Sequence, residues 1–107
     1  MRLHIAYIFD DAQGRVEGLQ YKSIPEYECA LFVYESMLPR KFHMRNVPMN
    51  LWLSAIIEGK CVESIFMEAG EAGPYALKSK AALIVESRAE IPVGADVSIK
   101  GEVLVVE

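Results

Sequence analysis

Leu51-Trp52-Leu53-Ser54-Ala55-Ile56-Ile57-Glu58-Gly59-Lys60-Cys61-Val62-Glu63-Ser64-Ile65-Phe66-Met67 is the stretch whose reading decides the fold. Two runs rich in β-branched, aromatic and other apolar residues flank the polar pair Glu58-Gly59, the turn chemistry that joins antiparallel strands. Each run is strand-sized and too short for a helix spanning the same distance. The segment therefore predicts a β-hairpin, Leu51 to Ile57 and Lys60 to Met67.

Further strands follow outward from it. Arg2 to Phe9 alternates, with Leu3, Ile5, Tyr7 and Phe9 on one side, the period-two mark of a half-buried strand. Asp10 to Leu19 opens on good N-cap residues but holds two glycines, each costing a helix about 1 kcal/mol, so one or two helical turns are expected there. Ile24-Pro25-Glu26 reads as a turn and Cys29 to Tyr34 as a buried strand. Ser36 to Arg40 reads as a loop closing with Pro39. Lys41 to Asn46 is expected as a strand with His43 and Arg45 on one face and Phe42 and Met44 on the other. Glu68 to Pro74 is a loop, Ala81 to Glu86 a strand, and Val97 to Val106 a strand with Val97, Ile99, Val103 and Val105 on one side. Six or more strands and almost no helix predict a mostly β (α+β) fold, a small β-sandwich or partly closed β-barrel with one short helical segment after the first strand. Its core is expected to draw on Leu3, Ile5, Leu31, Val33, Leu53, Ile65, Leu83 and Val97.

At 107 residues, the chain (1-107) fits one domain with one core. Hydrophobic residues make up 52%, which excludes disorder as the main state. No apolar run approaches the roughly 20 residues of a membrane span, so no membrane partner is expected. Met1-Arg2-Leu3-His4 leads directly into an alternating strand, unlike a secretory signal, and a cytoplasmic location is expected; a phage-encoded chain would instead belong to the virion. A net charge of −4 disfavours nucleic acid as a partner. Cys29 and Cys61 sit in apolar surroundings, where unpaired cysteines behave as small buried hydrophobes, and both are expected reduced.

Gly18-Leu19, Leu31-Phe32-Val33-Tyr34, Phe42-His43-Met44-Arg45-Asn46, Pro48-Met49-Asn50-Leu51, Val85-Glu86 and Gly94-Ala95-Asp96-Val97 resemble, in order and spacing, the domain of unknown function 192 family. The likeness covers nearly the whole chain. That family reads Gly-Leu-Met, Gly-Met-Leu-Phe, Phe-Trp-Met-Lys-Asn-Thr, Pro-Leu-Asp and, near its end, Leu-Glu followed by a short helix and Gly-Asp. The resemblance implies a small, mostly-β domain without an established biochemical activity. This chain departs from the pattern at Gln20, Cys29-Ala30, His43, Arg45, Val47 and Asn50, keeps Asn46, and has a shorter segment after Glu86.

His43, Arg45, Asn46 and Asn50 are the candidate ligand-binding residues. Histidine and arginine supply donors, arginine in a fork suited to carboxylate or phosphate, and asparagine supplies donor and acceptor. The plainer reading is a solvated strand face with asparagines serving turn backbone. His4 and His43 are the only histidines and no Cys-x-x-Cys occurs, so no metal site is expected. Gly14-x-x-x-Gly18 lacks both the Walker lysine and the dinucleotide spacing, and no cofactor is implied. Cys29 or Cys61 with His43 as base is a conceivable nucleophile pair, against which an inert thiol is the simpler account. Glu86, inside an apolar strand, is expected to have a raised pKa if buried, or to pair with Arg45 or Arg88. These residues favour a non-catalytic binding module for a small polar or anionic ligand or a protein partner. A structural or assembly component on the same scaffold is the alternative and an enzyme the third reading. The high apolar fraction also makes self-association plausible.

Overall fold

The computed structural model describes all 107 residues, in the order β1 (Arg2–Phe9), α1 (Ala12–Glu17), β2 (Glu28–Leu38), β3 (Lys41–Phe42), β4 (Leu51–Ile57), β5 (Lys60–Met67), β6 (Tyr75–Ala76), β7 (Ala81–Ser87), β8 (Val97–Lys100) and β9 (Val103–Val106). Seven strands form one sheet in the order β5-β4-β7-β2-β1-β9-β8, and β3 pairs with β6 in a small second sheet. The expected hairpin forms with Ile57 opposite Lys60, and positive φ at both Glu58 and Gly59, a conformation glycine adopts without steric cost. All sheet pairings are antiparallel except β1 with β2. A parallel neighbour requires a crossover, and residues 10–27, α1 included, supply it.

The sheet curls until its two edges touch at one end. There the Val97 amide donates to Gly59 O (2.8 Å), the Cys61 amide to Ala95 O (3.0 Å) and the Gly94 amide to Cys61 O (2.8 Å), while Lys60 pairs with Asp96. The result is a half-barrel, the partly closed form of the expected architecture, with one short helix after the first strand. All seven strands send side chains into its interior, among them Leu3, Leu31, Ile56, Cys61, Val85, Val97 and Leu104. The outer face is also buried. Ala30, Phe32, Leu53 and Ile84 on it are covered by Leu19 and Ile24 from the crossover, by Met44, Val47 and Met49, and by Leu77.

Several local expectations change. A bulge between Ile5 and Tyr7 breaks the β1 alternation, so Leu3 and Ile5 face the interior while Tyr7 and Phe9 pack on the outer cluster. Ser36 to Leu38 continue β2, and Val33, expected in the core, is 37% exposed. Ile65 and Leu83 are half-buried, whereas Leu3, Ile5, Leu31, Leu53 and Val97 are buried as expected. The Val97 to Val106 run is two strands, because Gly101, at φ 61, opens a two-residue turn that sets Lys100 against Val103. The strand expected over Lys41 to Asn46 stops at Phe42. Asn46 takes φ 60 in a turn, so His43 and Arg45 share no strand face. Cys29 and Cys61 are free and buried, as expected.

Candidate functional site

Beside Phe32 and Tyr34 of β2 lies a cleft of about 470 Å³, walled on one side by α1 and residues 18–20 and on the other by Lys41, Phe42, His43 and Val47. This is within the usual size range for small-molecule sites. α1 is short and depends on its ends. The Asp11 side chain accepts from the Gly14 amide (2.6 Å) and the Gly18 amide closes on Gly14 O (2.8 Å). Gly18 also lets the wall approach the floor, since a Cβ there would sit 3.2 Å from the Phe32 ring.

Arg15 and Arg40 meet at the Tyr34 ring, with Cζ atoms 5.1 Å and 3.8 Å from its centroid, a cation–π arrangement. Arg15 Nη1 also donates to Val33 O (3.0 Å), and Arg40 Nη2 to Ser36 O (2.6 Å). Arg40 Nε is buried with no acceptor. Burial raises the Tyr34 phenol, an effect the two arginines oppose and Glu86 reinforces.

Glu86 is the least accessible polar group of the lining, at 3% exposure. Its neighbours across the sheet are Ala30 and Leu53, apolar on both sides. Burial alone pushes its carboxyl from 4.5 to about 8, so a proton sits there at neutral pH. The raised pKa agrees with the sequence reading, but the pairing with Arg45 or Arg88 does not form. Arg45 lies in an exposed turn and Arg88 lines a different cavity. The carboxyl has no hydrogen-bond or ion-pair partner in the protein.

Of the four residues singled out from sequence, only His43 lines this cleft. Its Nδ1 accepts from the Arg45 amide (3.2 Å), which leaves Nε2 as the nitrogen free to donate. The Arg45 side chain is exposed. Asn46 serves the backbone, its carbonyl accepting from the Tyr21 amide (2.7 Å), while its Nδ2 reaches Gln20 Oε1 (3.3 Å). Asn50 Oδ1 accepts from the Ala69 amide (2.8 Å), and Asn50 lines a separate hollow of about 390 Å³ with Glu26, Phe66 and Arg88. The four side chains thus do not line one cavity, because the expected strand gives way to a turn. Arg15, Tyr34, Arg40, Lys41 and Glu86 were not foreseen as a group. The readable signal was a lone acid in the apolar run Ala81 to Val85, on a strand buried from both sides.

No group of three or more His, Cys, Asp or Glu side chains converges as a metal site would require. No helix is long and apolar enough to cross a membrane. Burial pushes the Cys29 thiol up to about 12 and also raises Cys61.

Neither a protein-family model nor a curated protein matches the sequence. Two solved structures share the fold. A protein of unknown function from Novosphingobium aromaticivorans DSM 12444 superposes with a TM-score of 0.70 at 13% identity, over 78% of this chain and 62% of that one. The present chain thus spans under two thirds of that neighbour. A protein from Sinorhizobium meliloti 1021, described as a putative transcription regulator, superposes with a TM-score of 0.67 at 20% identity, over 82% of this chain and 78% of that one. At these identities the likeness carries the fold alone.

Proposed function

We propose that this chain is a non-catalytic binding domain whose Glu86 cleft holds a small anionic ligand, and that it belongs with the domain of unknown function 192 family. The observation carrying the reading is the convergence of Arg15, Arg40, Lys41 and His43 on one cleft of small-molecule size. Guanidinium groups there can offer paired donors to a carboxylate or phosphate. Segments that resemble the family supply much of the lining: Gly18 and Leu19, Phe32 and Tyr34, Phe42 and His43, and Glu86. The family's tryptophan position is His43 here, which replaces an apolar wall with a polar one.

A gene-regulatory role, the description borne by the Sinorhizobium protein, finds little support in a net charge of −4, since DNA binding relies on basic surface. An assembly role would instead use an exposed apolar face rather than a cationic cleft.

The test is a calorimetric and thermal-shift screen of small carboxylates and phosphates against the wild type and against Arg15→Ala, Arg40→Ala and Lys41→Ala. At least one anion should bind, and loss of a partnered guanidinium should weaken it by about 1.5–3 kcal/mol. An absence of binding across the screen, or equal binding by all variants, would remove the proposal.

A further inference from the structure

We propose that the ligand of this cleft is a zwitterion, with an anionic head held by Arg15, Arg40 and Lys41 and an amine seated on the Glu86 carboxylate. The inference rests on the anion-binding reading above and names the class of molecule. Exposure grades the lining. Lys41 is exposed, Arg15, Arg40 and His43 are half-buried, and Phe32 and Glu86 are almost wholly enclosed. Positive charge therefore lies toward the mouth and the one deep acid toward the floor.

A carboxyl only 3% exposed, set among apolar neighbours and given no hydrogen bond by the protein, is costly to ionise. A simple anion fills the arginine end and leaves that carboxyl as it was. An ammonium supplies three donors and an opposite charge to it, and so completes the floor as well. Complementary charge at both ends also fixes the ligand's orientation.

The groups around Glu86 define what its titration reports. From α1 come Arg15 and Glu17, from β2 Tyr34, and from β3 and its flanks Arg40, Lys41 and His43. β4 presents the apolar Leu53 and the neighbouring part of β2 presents Ala30. None of these forms an ion pair with the acid. Glu86 is mostly protonated at neutral pH, its pKa being about 8. Docking an ammonium against it drives the proton off into the buffer.

The experiment is isothermal titration calorimetry near pH 7, in two buffers of different ionisation enthalpy. The probes are matched pairs: β-alanine with propionate, 4-aminobutyrate with butyrate, and 6-aminohexanoate with hexanoate. The expected result is that one amino acid binds about tenfold or more tighter than its amine-free partner and releases nearly one proton. Glu86→Gln should lower that amino acid to the level of its partner, abolish the proton release and leave the simple carboxylate unchanged. Glutamine matches the neutral acid in shape; should that variant not fold, the wild-type proton count decides alone. Simple carboxylates that bind as well as the amino acids, with the Arg40 dependence intact, would overturn the zwitterion and leave the anion site standing. Failure of every probe in both series would overturn the zwitterion, and the phosphates of the screen above then decide the anion site.

Discussion

Replacing Glu86 with glutamine should make the protein's stability far less dependent on pH. The unfolded chain gives up this proton near 4.5, whereas the native state keeps it until about 8. Between those values the native state binds more protons, so its stability falls as the pH rises. At about 1.4 kcal/mol per pH unit, a carboxyl moved from 4.5 to about 8 costs the native state about 5 kcal/mol once it is fully ionised. The part falling between about pH 5.5 and 8.5 is about 3 kcal/mol, a large share of the 5–15 kcal/mol that holds a typical domain together. Urea denaturation of wild type and Glu86→Gln at those two pH values measures it, with the slope m confirming that both unfold alike. The other titrating side chains are common to both proteins and cancel in the comparison. The variant should gain about 3 kcal/mol relative to wild type on going from the acid to the alkaline condition. A difference that stays constant within about 0.5 kcal/mol would show that Glu86 is solvated or paired, and would refute the burial argument.

Two further outcomes follow from the packing. Leu53 is fully buried in the outer cluster, so Leu53→Ala should lose about 2–5 kcal/mol in urea denaturation, while the half-buried Leu83 should lose clearly less on the same substitution; equal losses would mean the two faces are misassigned. The thiols of Cys29 and Cys61, both buried and both raised, should resist an aromatic disulfide reagent in the native protein and react with it on addition of denaturant. Rapid labelling of either thiol without denaturant contradicts this.

Much of the fold was legible where its cause is local. The Glu58-Gly59 turn fixes its hairpin through backbone conformation at two residues, and β1 and β5 run over the expected residues. Boundaries failed where a local pattern was overridden. Apolar residues recur on both sides of Gly101-Glu102, so the sequence reads as one strand although the chain reverses there. Glu35 and Ser36 are polar and lie in an irregular stretch between the Val33–Leu83 and Leu38–Ala81 pairs, yet β2 runs on to Leu38. The cleft was hidden for another reason. Arg15, Tyr34, Arg40 and Glu86 come from separate parts of the chain and meet only because the crossover lies over β2 beside β7. Polar residues crowd together in the stretch Phe42 to Leu51, but crowding along a chain does not make a shared cavity. There the apolar members Met44, Val47 and Met49 settle the conformation by covering the outer cluster, and Arg45 and Asn46 are turned to solvent.

β1 lies between β2 and β9, so it joins a neighbour near in the chain to one about a hundred residues away. As the chain folds, the pairings among β1, β2, β4, β5 and β7 can all form before Val103–Val106 docks. Until then one side of β1 is an open row of amide and carbonyl groups, able to template another strand. The half-barrel interior is also open on that side, because the touching edges need Val97 and its neighbours. Distant pairings of this kind slow folding. Docking of the β8–β9 hairpin therefore sets when the folding chain stops being adhesive, and variants that weaken that hairpin should be those that engage chaperones longest.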